Sequence, residues 1–341
     1  MGGMSVETPS KRRLALALLA AGATLTACGG DPSTAEDTPG ASPTSQAPGQ
    51  AGSATPRETP SDSPGETQAP TETSASSTAP TGAASSGSAA ADDDATPGAA
   101  TAPIYYVGDT PMGPRLYREF QVVGGGDVAA SALDALANGV PTDPDYSTLV
   151  PPGEVLSVQQ RGGRIRIVVA KDSVWPERGT LTPKQARLAA QSVVYTVQGA
   201  LGTRRPVEVI VRGAATPTTL FGFDTSGGLS AAPELKVLSL VNITSPAQGQ
   251  SVPASTITAE GRASSFEATV PWEVQDDSGK VVARGSGTAE GWMGRLYPWT
   301  VRVDLGRLDP GTYTFIARTD DPTGGQEGPG PFEDSKTITV R

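Results

Sequence analysis

The sequence predicts a small α+β domain followed by an all-β two-sheet sandwich, both carried behind a disordered N-terminal linker. Three observations lead there. Residues 29–101 contain no aromatic residue and no Leu, Ile or Val. Residues 103–232 alternate strand-like runs with two amphipathic, well-capped helices. Residues 235–341 hold about seven short strand-like runs, separated by turn residues, and no convincing helix.

The chain opens with Lys11, Arg12 and Arg13 and then an apolar run from Leu14 to Ala23. About ten apolar residues are too few to span a bilayer as a helix, so residues 1–27 are expected to be a signal peptide. The run ends at Leu25-Thr26-Ala27-Cys28, and Cys28 is the only cysteine in the chain. This segment resembles a bacterial lipobox. The resemblance implies lipidation of Cys28 through a diacylglyceryl group with palmitate-type chains, and cleavage just before it. Two acyl chains, at about 0.8 kcal/mol per buried CH₂, make a stable anchor. The expected location is the extracytoplasmic face of the cell membrane, attached by lipid.

Residues 28–102 are expected to be a disordered Ser/Thr/Pro/Ala/Gly-rich linker, because such a composition buries too little apolar surface to offset the entropy of ordering. As a flexible chain it would span roughly 45–50 Å. The formal charge is −10, and removing the signal peptide, with its three basic residues and one acidic residue, makes it −12. Nothing in that balance recruits nucleic acid, which needs clustered Lys and Arg. With one cysteine, no internal disulfide can form, so stability must come from packed cores.

In the region 103–232, Ile104-Tyr105-Tyr106-Val107 reads as a strand and residues 116–123 as a second. Asp127 caps a helix with apolar positions Val128, Ala132, Leu133 and Leu136, ending at Asn138-Gly139. Leu156 and Val158, then Ile165, Ile167 and Val169, flank Gly162-Gly163 as a β-hairpin. A second helix starts at Thr182, with Pro183 in its first position and Gln185 completing a capping box, and stops at Gly202. Val207, Val209 and Val211 form a further strand. A mostly antiparallel sheet with two helices on one face accounts for this order.

The region 235–341 offers strands near 237–243, 256–260, 270–275, 280–284, 297–304, 312–318 and 336–340. Asp309-Pro310-Gly311-Thr312-Tyr313 fits either the tyrosine corner of an immunoglobulin-like sandwich or a plain Pro-Gly turn.

Catalytic chemistry finds little to work with. The chain has no histidine, which removes Ser-His-Asp and Cys-His mechanisms and His ligation of zinc. The paired carboxylates Asp143/Asp145, Asp276/Asp277 and Asp320/Asp321 stand in polar, turn-like sequence and read as solvated turn residues. Asp320, Asp321, Glu327 and Glu333 match no calcium-loop spacing. Gly124-Gly125-Gly126-Asp127 follows a strand and opens a helix like a dinucleotide loop, but a carboxylate at the N-cap occupies the place of a pyrophosphate. No enzyme, cofactor or metal is expected. The one cluster with binding character is Trp292, Tyr297 and Trp299, rings that would stack on sugars if exposed and would be sandwich core if not.

Two resemblances follow from these residues. The region from about 104 to 225 resembles the GerM amino-terminal (GerMN) domain, through Ala132-Leu133, Gly139-Val140-Pro141, Thr148-Leu149-Val150-Pro151-Pro152-Gly153, Val193-Val194-Tyr195-Thr196-Val197 and Val209-Ile210-Val211-Arg212-Gly213. The Val-Asp-Leu expected after the hairpin is replaced by Val169-Ala170-Lys171. The region from about 241 to 341 resembles the immunoglobulin-like domain of bacterial spore germination proteins, through Ile243-Thr244-Ser245-Pro246, Gly261-Arg262-Ala263, Phe266-Glu267-Ala268-Thr269-Val270, Gly311-Thr312-Tyr313 and Thr337-Ile338-Thr339-Val340. The first family's fold is similar to ring-building modules of envelope complexes, which implies protein–protein interaction. The expectation is therefore a non-enzymatic binding or scaffold lipoprotein of the cell envelope, in an envelope or sporulation/germination-type assembly, with an envelope protein as partner. A peptidoglycan- or wall-polysaccharide-binding lipoprotein is the alternative.

Overall fold

The computed structural model describes residues 98–324 and 326–341. Cys28, the signal peptide and most of the expected linker lie outside the described residues. The first lobe runs β1 (Ala100–Gly108), β2 (Arg115–Val123), α1 (Val128–Asn138), β3 (Tyr146–Ser147), β4 (Val155–Arg161), β5 (Arg164–Val169), α2 (Pro183–Ala200), β6 (Val207–Val211), β7 (Thr219–Leu220) and β8 (Phe223–Asp224). Its strands form ladders ordered β2-β1-β3 and β4-β5-β6, with β7 and β8 as a small hairpin. Only β5 and β6 pair in parallel, as the crossover through α2 requires.

Local sequence explains the helix ends and the tight turn. Asp127 accepts the Ala130 N–H at 3.0 Å, and its other oxygen takes the Val158 N–H at 2.7 Å, so one carboxylate caps α1 and ties down β4. Thr182 and Gln185 form the full capping box of α2. Arg161 pairs with Arg164 across Gly162 and Gly163, whose φ of 59° and 76° suit a two-residue hairpin turn.

α2 is buried along most of its length, which its small and aliphatic residues permit. Its polar residues Ser192 and Thr196 serve the sheet. β3 pairs with β1 only at Val107 and Gly108, leaving the earlier part of that edge open. Thr196 Oγ1 accepts the Tyr105 N–H at 3.0 Å, and Ser192 Oγ donates to the Tyr105 carbonyl. Two hydroxyls one helical turn apart thus close a strand edge that would otherwise leave buried backbone groups unpaired.

The second lobe comprises α3 (Glu234–Val237), β9 (Val241–Ser245), β10 (Gln250–Val252), β11 (Thr256–Ala263), β12 (Thr269–Gln275), β13 (Val281–Thr288), β14 (Tyr297–Asp304), β15 (Gly311–Arg318) and β16 (Glu333–Val340). Two sheets, β10-β16-β15-β12-β13 and β14-β11-β9, enclose a core of Val241, Ile243, Val270, Val274, Trp299, Val303, Phe315 and Ile338. Tyr313 donates its hydroxyl to the Asp309 carbonyl at 2.9 Å, so the Asp309–Tyr313 segment is the tyrosine corner rather than a plain turn.

Two boundaries differ from expectation. β1 begins at Ala100, inside the stretch assigned to linker, because Ala100 to Pro103 pair with Phe120 to Val123 and bury Ala102. Composition cannot register a partner strand twenty residues away. Residues 237–243 are not one strand: Pro233 starts the short helix α3, and β9 begins only at Val241. The intervening Leu238 bridges to Leu116, whose carbonyl accepts the Ser239 N–H at 2.8 Å.

Both lobes meet across a third apolar cluster. Tyr105, Val107 and Leu116 on one face of the β1–β2 sheet pack with Leu188 and Tyr195 of α2 and with Leu238 and Leu296. The other face of β1, carrying Ala102, Ile104 and Tyr106, belongs to the first lobe's own core. β1 is therefore buried on both sides, which is why Ile104-Tyr105-Tyr106-Val107 is continuously apolar.

Candidate functional site

The three aromatic residues singled out in the sequence do not share one surface. Trp299 is 2% exposed and sits over Gly261, where a Cβ would come within 2.6 Å of its ring. It is sandwich core and is out of reach of any ligand. Tyr297 lies half-buried against Gly291, with the Arg295 guanidinium 4.7 Å from its ring centre. Trp292 is 39% exposed in the loop between β13 and β14.

Trp292 has companions that sequence reasoning missed. Phe266, 41% exposed, meets it edge-on at 5.4 Å, and Met293 beside it is 60% exposed. The ledge is held on strained backbone. Glu267, Ala268 and Met293 take φ of 48°, 61° and 64°, a region in which side chains cost of order 1–3 kcal/mol each. Hydrogen bonds enforce it: Met293 N donates to Ser264 Oγ at 3.2 Å and Ala289 N to the Ala268 carbonyl at 2.8 Å. Phe266, Trp292 and Met293 thus form an exposed apolar ledge on constrained backbone. No spacing rule links residues 266 and 292, so only the fold could bring them together.

A second constellation lies where the lobes meet. Lys336 of β16 places its ammonium 2.5 Å from Asp143 Oδ2, 2.7 Å from the Tyr146 hydroxyl and 2.9 Å from Asp334 Oδ1. Tyr146 donates to Asp334 at 2.6 Å, and the other oxygen of Asp334 accepts from Asn242 Nδ2 at 3.0 Å and Ile243 N at 2.6 Å. Asp143 is 1% exposed, so its reading as a solvated turn residue is corrected. Its loop is drawn inward by Glu119, whose two oxygens take the N–H groups of Thr142 and Asp143 at 2.9 Å. Asp145 stays exposed and accepts from Ser335 at 2.8 Å.

Burial raises the Asp143 carboxyl above the usual range, against the pull of Lys336. Burial alone would lower the Lys336 ammonium, but Asp334 and Asp143 outweigh it and hold its pKa above the usual lysine value. Burial also pushes the Tyr146 phenol well up, with the nearby carboxylates adding to the effect, and raises Tyr117, which stacks on it at 4.9 Å.

The other carboxylates behave as local turn or ion-pair residues. Asp276 accepts from Ser278 and Lys280, Asp321 from Thr323, and Glu333 pairs with Arg318. Among the described residues no three His, Cys, Asp or Glu side chains converge as a metal site. No helix among them is long and apolar enough to cross a membrane.

Residues 103–216 match the family model described as sporulation and spore germination, and residues 240–326 that of the immunoglobulin-like domain of bacterial spore germination. The chain joins two germination-type domains. Neither description names an enzymatic activity. No curated protein matches the chain. Among solved structures, the tandem GerMN domains of the sporulation protein GerM from Bacillus subtilis are 14% identical, covering 62% of this chain and 63% of that one, with a TM-score of 0.31. CopC from Methylosinus trichosporium OB3b is 22% identical over 29% of this chain and 92% of its own, TM-score 0.21. An engineered protein is 18% identical over 45% and 36%, TM-score 0.24. The chain spans less than two thirds of the length of the tandem GerMN structure and of the engineered protein. The Phe266–Trp292–Met293 ledge lies at two loops of the second germination domain. The Lys336 cluster joins that domain to the first.

Proposed function

We propose that the protein is a lipid-anchored, extracytoplasmic lipoprotein that binds an envelope protein without catalysing a reaction, as part of a sporulation/germination-type or other envelope assembly. The observation that carries the binding role is the exposed, strained ledge of Phe266, Trp292 and Met293. A loop backbone under strain presents its side chains in a fixed direction, which suits recognition more than packing. The anchor rests on the lipobox ending in Cys28 and on the long polar stretch after it.

Cross-linking in cells followed by capture should recover one reproducible envelope protein with the wild-type chain, and Trp292→Ala should lose it. Equal recovery with Trp292→Ala and Phe266→Ala would sink the ledge as the contact. Cys28→Ala should release the protein from washed membranes; retention would refute the anchor.

A second reading, binding of peptidoglycan or wall polysaccharide, is favoured by the half-exposed Trp292, since an indole face stacks on a sugar ring. Co-sedimentation with purified sacculi, lost on Trp292→Ala, would support it over a protein partner.

A further inference from the structure

We propose that Lys336 and Asp143 become joined by an amide bond that covalently ties the second germination domain to the first. The groups that such a condensation needs are assembled and enclosed. The amine and its acceptor carboxyl lie 2.5 Å apart, 193 positions apart in sequence, and neither side chain is more than 5% exposed. A second carboxyl, Asp334, lies 2.9 Å from the same amine and is 1% exposed, and Tyr146 bridges the two. The Tyr146 ring packs 4.5 Å from the amine, so much of the surroundings is aromatic rather than aqueous.

Enclosure changes the chemistry open to this pair. In water, an ammonium and a carboxylate are stable as ions. Asp334 and Asp143 favour the resting ammonium, but burial raises the Asp143 carboxyl and makes it the better proton acceptor. Passing one proton from Lys336 to Asp143 across their hydrogen bond gives a neutral amine facing a neutral acid. The fold holds them as neighbours, which replaces an encounter by an intramolecular reaction with an effective molarity of about 10⁵–10⁸ M in well-oriented cases.

The Lys336 nitrogen lone pair attacks Cγ of protonated Asp143, forming the C–N bond and a tetrahedral centre. The Asp334 carboxylate takes one proton from that nitrogen and returns it to a hydroxyl on the tetrahedral carbon. The C–O bond breaks and one water leaves. The products are a secondary amide, an ionised Asp334 and water, with no oxidant or cofactor involved. A cleft of about 280 Å³, lined by Asp109, Tyr117, Tyr146 and Glu333, gives the water a way out. In a chain with a single cysteine, the bond does what a disulfide would do between domains. It is independent of the binding role proposed above.

The full chain, purified, denatured and digested with trypsin, provides the test by mass spectrometry. The expected product is a branched peptide joining residues 119–161 to residues 319–341, lighter than their sum by one water, with cleavage after Lys336 blocked. Lys336→Arg should give only the unbranched 119–161 peptide. Asp334→Asn keeps amine and acceptor but removes the proton carrier, and should reduce the branched product at least tenfold. Full recovery of separate 119–161 and 337–341 peptides from the wild-type chain would overturn the proposal, and needs no variant to fold. Wild-type yield of the branched peptide from Asp334→Asn would overturn the role given to Asp334.

Discussion

Lys336 holds two interior carboxylates at once, and each takes a further hydrogen bond from the opposite side. In chains where Lys336 and Asp143 are not joined by the proposed amide, Lys336→Met removes the partner and leaves Asp143 and Asp334 buried without it, a change that costs about 3–5 kcal/mol for such pairs. In joined chains it removes the cross-link as well. Urea unfolding should register it as a lower midpoint; a loss under 1 kcal/mol would mean that the carboxylates find water instead. Tyr146 and Tyr117 predict a pH limit. Burial holds both phenols above the ordinary value of about 10. The unfolded chain therefore releases these protons first. Their contribution is complete below about pH 10 and is lost as pH rises through the folded-state values. Melting temperatures should stay level from pH 7 to 9.5 and fall above about pH 10, and Tyr146→Phe should flatten part of that fall. Trp292→Ala, at an exposed position, should change stability by no more than about 0.5 kcal/mol while removing the partner contact proposed for the ledge.

At the scale of elements, the first lobe's helices are where local chemistry and final structure agree best. Thr182, Pro183 and Gln185 announce the start of α2, and the capping box forms as they predict. Thr182→Ala should cost about 1 kcal/mol, read as a shift in chemical denaturation. The interior of α2 is different. Ser192 and Thr196 look like weak helix residues on an otherwise apolar cylinder, and nothing local tells that they complete the edge of β1. Thr196→Val removes the acceptor and leaves the Tyr105 N–H unpaired, so it should cost about 1–3 kcal/mol despite its matching shape. A neutral outcome would show that the edge is satisfied in another way. The same limit hid α3: a four-residue turn after Pro233 has no periodicity to detect.

For the whole molecule, the apolar cluster of Tyr105, Leu116, Leu238 and Leu296, together with the Lys336 network, makes the two domains share an interior. Scanning calorimetry should therefore give one cooperative transition for the described region, while Lys336→Met should separate or broaden it. Two well-separated transitions in the wild-type chain would contradict a shared interior. What the sequence by itself determined was everything with a local or periodic cause. This covers the lipobox ending at Cys28 as an expectation, the caps of both long helices, the Gly162-Gly163 hairpin, the sandwich of short strands, and the family likenesses of both domains. Only the tertiary structure decided which polar residues are inside and which aromatic residues are outside. Asp143 sits between Pro141 and Pro144 in a stretch that reads as turn, yet its surroundings come from Lys336, 193 positions later. Trp292 and Trp299 are seven residues apart and equally aromatic, yet one rests on Gly261 in the core and the other stands on a ledge with Phe266. The physical reason is the same in both cases: burial and charge pairing are properties of neighbours in space, and a sequence specifies those neighbours only through the fold.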